Sequence, residues 1–378
     1  MDSTVVSGGV NVGTQSRRVR AGRNRAQAGL VVAVTGAASA PGTQLARRLA
    51  ASEDIRQVIA LDRVRGEADD VTWRVIDVTD PAIVTRLTGV DVVIHAAVDL
   101  NVTDDVAERS HRNVRGTQAV LTASAAAGVR RVIVLSSAMV YGADAENPVP
   151  LDEDAPLRAP ADGGLISDLL EIEALCARSR RAHSGTAVTV IRPAAVVGPG
   201  VDTVLTRHFE APRLLVVRGA EPAWQFCHID DLASALEFVA VNDIDGPLAV
   251  ASPGHLDQEA VEALSGRGRA EMSESFVFGT AGRLHRLGVT PAPVSELHFV
   301  TKPWVVAPER LTAAGWRAEY TNELALQALM EAVGGRHALA SRRIGKRETA
   351  ATLGAAGATV AILGTAVVIR KARRRKRG

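Results

Sequence analysis

The chain has 378 residues, of which 47% are hydrophobic and 3% aromatic, and its formal net charge is +2. This length and apolar content allow a large buried core, as one large domain or two small ones. Two cysteines, Cys176 and Cys227, are too few for a disulfide framework or a cysteine metal cluster and suit a reducing cytosol. We therefore expect neither a metal site nor a secreted, disulfide-bonded protein.

Charge is unevenly distributed along the chain. Residues 1–29 carry five Arg and one Asp, and residues 341–378 carry eleven Lys or Arg and one Glu. Residues 30–340 therefore carry 28 basic and 40 acidic side chains, a net charge of −12. An acidic body argues against nucleic acid as a partner, because phosphate recognition needs a basic face. Residues 1–29 lack periodicity and are rich in Gly, Ser and Arg, which predicts a disordered basic arm.

The first predicted elements are a strand, a tight turn and a helix within residues 31–49. The apolar run predicts a buried parallel strand, and two leucines one turn apart predict a helix with one apolar face. The turn between them, TGAASAPG, is typical of a loop that holds a pyrophosphate at a helix N-terminus. We expect Gly36 to make the turn and Gly42 to let the helix pack on the strand, whereas Ser39 stands where backbone must approach phosphate.

A second predicted strand runs from Gln57 to Asp62 and ends in an acidic residue twenty positions beyond Gly42. A carboxylate at that place accepts hydrogen bonds from the adenosine ribose hydroxyls, which favours NAD. Arg63 follows directly and would instead meet a 2′-phosphate, so that NADP remains an alternative. Together, the loop and this strand predict a dinucleotide-binding site.

The chain continues as alternating strands and helical runs, including a long helical run over residues 104–128, which predicts a doubly wound parallel sheet. The third strand is expected to end at Asp77 and Val78, and the fourth at the small residues Ala96 and Ala97. Ser136 and Ser137 are expected just past the end of the fifth strand. Small residues at the carboxyl end of a strand let a cofactor lie close to the backbone, where open α/β sheets bind their ligands.

Eight segments stand in the order found in the extended short-chain dehydrogenase/reductases: TGAASAPG, LD, DV, HAA, NVRGT, LSSAMVYG, AVTVIRPAAVVGPG and QFCHIDDLASALEFV. The chain most resembles the NAD-dependent epimerase/dehydratase group, which includes UDP-hexose epimerases. The resemblance implies an α/β fold, with a Rossmann-type doubly wound parallel sheet in residues 30–340. It also implies a smaller C-terminal substrate subdomain, mainly in residues 194–340, and dimerisation through two helices.

The resemblance also implies the site residues. The implied cofactor site comprises the loop, the ribose and adenine positions and the route to the nicotinamide: Gly36, Ser39, Ala40, Pro41, Gly42, Asp62, Arg63, Asp77, Val78, Ala96, Ala97, Asn113, Ser136 and Pro193. Ser137 matches the catalytic hydroxyl. Arg207, His208 and Arg218 stand where relatives meet nucleotide phosphates, although each could equally be a surface residue. The implied ligands are NAD, with NADP as the alternative, and a nucleotide sugar.

The resemblance fails at the family's acid/base pair, a Tyr and a Lys four residues apart on one helix. The Lys lowers the pKa of the Tyr, whose phenolate then takes the proton of the substrate hydroxyl. Neither tyrosine of this chain, Tyr141 or Tyr320, has a lysine four residues later, and no lysine precedes Lys302. The usual acid/base pair is therefore absent whatever the alignment.

Two registers are open for the helix that would carry this pair. One puts Gly163 and Ser167 at the Tyr and Lys positions, and the other puts Leu165 and Leu169 there. Asp168 is the nearest ionisable substitute, but we expect it to be an exposed helix carboxylate.

Two hypotheses therefore compete. The first is an epimerase/dehydratase-family enzyme that acts on a nucleotide sugar with a non-standard active site, for which His228 and His208 are candidate bases. His228 is nevertheless expected to support the sheet and the substrate loop, together with Asp231. The second is a non-catalytic, membrane-tethered NAD(P) sensor or scaffold. A hydroxysteroid-dehydrogenase-like oxidoreductase is a further alternative.

The C-terminal region 341–378 is predicted to form a hydrophobic helix with basic flanks. Residues 349–369 are 21 uncharged residues, about the length that crosses a hydrocarbon core. A spanning helix would export seven basic residues, against the positive-inside tendency. A helix held at the inner leaflet, with its basic flanks on anionic lipid, avoids that conflict. We therefore predict a cytoplasmic domain held at the inner face of the membrane, and spanning stays open.

Overall fold

The computed structural model describes residues 29–101, 105–287, 293–334, 338–339 and 342–343. The predicted basic arm, apart from its last residue, and the predicted helix 349–369 with its basic tail lie outside these residues. Within the described ranges, none of the helices combines the length and the apolar character that crossing a membrane requires.

A seven-stranded parallel sheet forms the centre of the structure. The strands of the described chain are β1 Leu30–Thr35, β2 Ile55–Asp62, β3 Thr72–Val75, β4 Val92–His95, β5 Arg131–Leu135, β6 Ala187–Pro193, β7 Ala195–Val197, β8 Arg213–Val217, β9 Phe226–His228, β10 Pro247–Val250, β11 Gly268–Met272, β12 Ala338–Leu339 and β13 Arg342–Arg343. The strand order in the central sheet is β3-β2-β1-β4-β5-β6-β10, and all its neighbouring strands are parallel. Because β1 lies inside the sheet and the chain winds outward on both sides of it, the predicted doubly wound Rossmann-type fold is confirmed.

Helices connect the parallel strands and cover both faces of the sheet. The α-helices of the described chain are α1 Ala40–Ala50, α2 Ile83–Arg86, α3 Val106–Ser110, α4 Gly116–Ala126, α5 Gly164–Ala182, α6 Val204–Glu210, α7 Ile229–Asn242, α8 Gln258–Ser265, α9 Glu274–Arg286, α10 Glu309–Ala314 and α11 Asn322–Val333. Short 3₁₀ helices span Ala138–Tyr141 and Val294–Val300. The helical run predicted over 104–128 consists of α3, a π-helical turn at His111–Arg115 and α4.

The two faces of the sheet carry separate hydrophobic cores. In β1, Val32 and Val34 pack into the core that contains Leu45 of α1. Val31 and Ala33, which alternate with them, pack into the other core beside α4 and α5. Alternate side chains of a strand point to opposite faces, so the continuous apolar run of β1 reflects burial on both sides.

Two small parallel sheets lie outside the main one. They pair β7 with β9 and β8 with β11, and all four strands belong to the part of the chain after Ala194. The same part of the chain also supplies β10, which pairs with β6 as the last strand of the main sheet. The boundary of a separate substrate subdomain at residue 194 therefore remains a prediction.

Candidate functional site

The turn between β1 and α1 depends on two glycines. Gly36 has φ +74, and a Cβ there would lie 2.6 Å from the backbone of Ala97. A Cβ on Gly42 would lie 2.0 Å from the carbonyl oxygen of Gly36. Any side chain at either position would push the loop, the helix and the end of β4 apart. These contacts match the turn and packing roles that the sequence assigned to the two residues.

Ser39 forms the N-cap of α1. Its Oγ accepts a hydrogen bond from the Gly42 N–H at 3.1 Å and donates one to the Gly36 carbonyl oxygen at 2.8 Å. Pro41, in the first turn, has no N–H. The Gly42 N–H, which a helix N-terminus would otherwise offer to an anion, is thus already hydrogen-bonded within the loop.

Replacing Ser39 by glycine tests this internal cap. Glycine is nearly as good an N-cap as serine, so the free energy of unfolding should fall by only a few tenths of a kcal/mol, about 0.3. The Gly42 N–H then becomes available to a phosphate, and Ser39→Gly should bind NAD at least as tightly as the parent chain in a calorimetric titration. Ser39→Val, which cannot cap, should lose about 1 kcal/mol of stability. A clearly weaker affinity for NAD in the glycine variant would contradict this account.

Asp62, at the end of β2, is tied to the same loop. Its Oδ2 accepts a hydrogen bond from the Ala38 N–H at 3.0 Å, and its Oδ1 accepts one from the Arg63 N–H at 2.7 Å. The side chain of Arg63 is exposed, with its Nη1 4.0 Å from Glu108. The carboxylate therefore lies at the end of β2 against the loop, and its contact with a ribose stays a prediction. These contacts are compatible with both NAD and NADP.

One carboxylate follows β3, and small side chains follow β4 beside this loop. Partial burial raises the pKa of Asp77, but hydrogen bonds from Thr79 and the nearby positive charges outweigh it, and the pKa lies below its ordinary value. Val78 packs toward Gly116, where a Cβ would lie 3.0 Å from its methyl group. Ala96 is buried, and the backbone of Ala97 packs against the Gly36 turn. Small side chains thus follow β4 where it borders the loop, and a carboxylate with a lowered pKa follows β3.

Asn113 lies in the π-helical turn and is fully buried. Its side chain accepts from the Asp99 N–H at 2.8 Å and donates to the Asp99 carbonyl oxygen and to Asp168 Oδ2 at 3.2 and 3.3 Å. Contrary to expectation, Asp168 is only 3% exposed, because Arg109 Nε pairs with its Oδ2 at 3.1 Å. Arg109 Nη2 is buried and has no hydrogen-bond partner among the described residues.

Ser136 and Tyr141 belong to a buried polar network. Arg192 holds both carboxylate oxygens of Glu173, at 2.8 and 2.9 Å, and donates to the Tyr141 hydroxyl at 2.8 Å. Ser136 donates to Glu173 at 2.9 Å, and Tyr141 donates to the Glu153 carbonyl oxygen at 2.8 Å. Burial raises the pKa of Tyr141 even though Arg192 acts in the opposite direction. Tyr141 is thus a core residue and not a substitute for the missing catalytic tyrosine.

Ser137, the predicted catalytic hydroxyl, faces a pocket. Its Oγ accepts a hydrogen bond from the Met139 N–H at 3.2 Å, which caps the short 3₁₀ helix after β5. The pocket encloses about 430 Å³ of unfilled space, part of it open to solvent. Its lining is mainly apolar and consists of Leu100, Ser137, Met139, Leu165, Ala194, Ala195, Val196, Thr203, Val204, Leu205, Glu296 and Trp304. Pro193 ends β6 directly before this lining begins.

The start of α5 shows which residues stand where the tyrosine and lysine would be. Leu165 lines the pocket with Ser137, whereas Leu169 is fully buried in the core. Gly163 lies before the helix with φ +91, and its N–H donates to Ser167 Oγ at 2.8 Å. Neither register supplies an ionisable group, as the sequence indicated.

Glu296 is the pocket residue that sequence reasoning missed. It is 4% exposed and lies on the 3₁₀ helix Val294–Val300, which carries no recognisable motif. Burial raises the pKa of Glu296 to about 7, although the charge of Arg109 and a hydrogen bond from the Leu165 N–H act against the rise. A carboxyl group that exchanges a proton near neutral pH therefore lies beside Ser137's pocket.

The four remaining candidates do not line this pocket. Arg207 pairs with both oxygens of Asp202, at 2.7 and 3.0 Å. Arg218 is exposed and pairs with Glu271 at 3.0 Å. The ring of His208 stacks on that of Trp224, and burial lowers the pKa of His208 to about 4.

His228 is the N-cap of α7 and stacks on Tyr320 at 3.7 Å between ring centroids. Its neighbour Asp231 accepts hydrogen bonds from the Glu319 and Tyr320 N–H groups. These contacts favour the supporting role over that of a catalytic base.

A protein-family model described as the NAD dependent epimerase/dehydratase family matches residues 32–249. An uncharacterized protein of Mycobacterium tuberculosis (strain ATCC 25618 / H37Rv) is 33% identical over 238 residues, which cover 60% of this chain and 63% of that protein. This chain therefore spans less than two thirds of that relative's length. A 3-diazoavenalumate denitrifying reductase of Streptomyces is 29% identical over 236 residues, covering 58% of this chain and 75% of the relative.

Solved structures share the fold at lower identity. MoeE5 in complex with UDP-glucuronic acid and NAD has a TM-score of 0.60 at 24% identity, with 79% of this chain and 97% of that chain covered. A UDP-galactose 4-epimerase has a TM-score of 0.58 at 21% identity, with 80% and 98% covered. The similarity supports the Rossmann-type architecture.

Proposed function

The chain belongs to the NAD dependent epimerase/dehydratase family, and from that premise we propose that it binds NAD and acts on a nucleotide sugar. The observation that carries the proposal is the arrangement at the carboxyl edge of the sheet. There the Gly36 turn, the Asp62 carboxylate and the small residues Ala96 and Ala97 meet beside the N-terminus of α1. In open α/β sheets, ligands bind at that edge.

The residues of this edge fit a dinucleotide. Asp62 keeps acceptor capacity for the ribose hydroxyls beyond the two N–H groups that it already holds. The loop and the first turn of α1 would hold the pyrophosphate. Ser39 reduces the number of free N–H groups there, because its Oγ already accepts a hydrogen bond from the Gly42 N–H. When bound, the nicotinamide supplies a hydride acceptor for a carbinol carbon.

On the substrate side, Ser137 would orient a sugar hydroxyl in the pocket. Its Oγ is fixed by the Met139 N–H and keeps its own proton to donate. The Thr203 hydroxyl and the Glu296 carboxyl are the other polar side chains of the lining. The similarity to MoeE5 in complex with UDP-glucuronic acid and to a UDP-galactose 4-epimerase makes a nucleotide sugar the first substrate class to test.

We expect the purified full-length protein to release about one NAD or NADH per chain on denaturation, identified by mass, or to bind NAD on titration. Asp62→Asn should weaken NAD binding about tenfold, because the ribose hydroxyls lose a charged acceptor. Asp69→Asn, an exposed carboxylate nearby, is the matched control and should leave the affinity unchanged. If no nucleotide is released and none binds, the proposal is wrong.

A second candidate is an oxidoreductase for an apolar substrate, favoured by the mainly apolar lining of the pocket. The Streptomyces relative is a reductase by its name, which also supports this class. A hydroxysteroid probe should then cause lasting accumulation of NADH, whereas UDP-glucose in an epimerase should cause only transient reduction of the nicotinamide.

Homodimerisation and attachment of residues 349–369 to an anionic membrane surface stay predictions from the sequence. A protein that binds NAD but turns over neither probe would fit the sensor or scaffold hypothesis.

A further inference from the structure

Glu296 lies where the pocket meets the start of α5. Glu296 and Leu165, which belongs to the first turn of α5, line the same pocket. A Cβ on Gly164 would lie 3.1 Å from Glu296 Oε1, which shows how closely the carboxylate approaches the first turn of the helix. Leu165 is one of the two residues at the position of the missing tyrosine. The Glu296 carboxyl thus reaches the part of the pocket where that phenol would be expected.

Charged groups from three directions act on Glu296. Arg109 of α3 and His285 of α9 favour its ionised form, and Asp162, in the loop before α5, opposes it. Burial is the largest influence on the pKa of Glu296, and it opposes ionisation. The start of α6 contributes only uncharged residues to the lining, namely its N-cap Thr203 and the helical residues Val204 and Leu205. This environment keeps both protonation states within reach at neutral pH, as a general acid/base requires.

Resting on the proposed function, we propose that Glu296 is the general acid/base of this pocket, in place of the absent tyrosine and lysine. The Glu296 carboxylate takes the proton of a substrate hydroxyl, while the C–H bonding electrons leave as hydride for the oxidised nicotinamide dinucleotide. The carbinol carbon becomes a carbonyl and Glu296 becomes a carboxylic acid. In the reverse direction Glu296 returns the proton to the new hydroxyl oxygen. Ser137 holds that oxygen from its other side.

The first test mixes the NAD-loaded full-length protein with UDP-glucose or UDP-glucuronic acid and follows nicotinamide reduction from about pH 5 to about pH 9. The rate should rise with pH and reach half its maximum near the pKa of Glu296, because only the carboxylate accepts the proton. Glu296→Gln should be at least about a hundredfold slower and independent of pH. Asp162→Asn should move the midpoint to lower pH by removing a neighbouring negative charge. Glu171→Gln, an exposed carboxylate of α5, is the matched control.

A second readout needs no substrate. Infrared titration of the protein with ¹³C-labelled glutamate should show one carboxyl band that titrates near neutral pH and is lost in Glu296→Gln. Absence of such a band overturns the proposal.

Turnover in Glu296→Gln at the parent rate, or with the parent pH profile, also overturns the proposal while the proposed function stands. If the parent chain binds no NAD or reduces none with either probe, the proposed function fails, and the acid/base role falls with it.

Discussion

Gly42→Ala is expected to destabilise the protein by about 3 kcal/mol and to abolish retention of NAD. The new methyl group would lie 2.0 Å from the Gly36 carbonyl oxygen. No side-chain rotation relieves this distance, because the backbone fixes the position of a Cβ and the carbonyl oxygen is itself a backbone atom. The loop and α1 have to separate, and the cap at Ser39 is lost with them. Urea denaturation measures the first effect, and mass analysis of the released nucleotide measures the second.

The matched control is Gly185→Ala. A Cβ at Gly185 meets nothing within 4 Å, so its effect should stay within about 0.5 kcal/mol, with NAD retention unchanged. Equal stability losses in the two variants would show that the close contact between α1 and the turn is not what stabilises this loop.

Arg192→Met should cost about 3–5 kcal/mol, the typical loss when one partner of a buried ion pair is removed. Arg192 and Glu173 are 7% exposed each, and the variant leaves the Glu173 carboxylate buried without its cation. The Tyr141 hydroxyl loses a donor as well. Denaturant titration at neutral pH measures the change.

Arg218→Met supplies the comparison, since its pair with Glu271 is exposed and should contribute no more than about 1 kcal/mol. The double variant Arg192→Met, Glu173→Met should lose less than the sum of its single changes, because no charge is left uncompensated. A loss below about 1 kcal/mol in Arg192→Met would contradict this assignment.

The parts of the fold that follow from local pattern could be predicted from the sequence. The strand–turn–helix within residues 31–49 and the small residues after β4 are set by neighbouring positions and by the order of motifs along the chain. The ion pair of Arg207 is also local in sequence, because its partner Asp202 is only five positions away. That local pair could have been recognised before a phosphate contact was considered.

The misjudged residues depend on partners that are distant in sequence. Asp168 looks exposed on a helix until Arg109, 59 positions earlier, is placed against it. Glu296 lies on a short 3₁₀ helix, where neither a periodicity of 3.6 nor one of 2 marks a side chain as inward-facing. Its importance arises only when that helix packs against the start of α5. Three-dimensional neighbours, and not residue type, decide the role of both carboxyl groups.

The pairing of β6 with β10 has a consequence for how the protein is made. On the ribosome, β6 is complete some fifty residues before Pro247–Val250 of β10 emerge. Until then the main sheet ends in a strand whose outward N–H and C=O groups have no partner, and such an edge invites pairing with another nascent chain. The first six strands of the main sheet therefore depend on a later part of the chain, Pro247–Val250, to cover the open edge at β6.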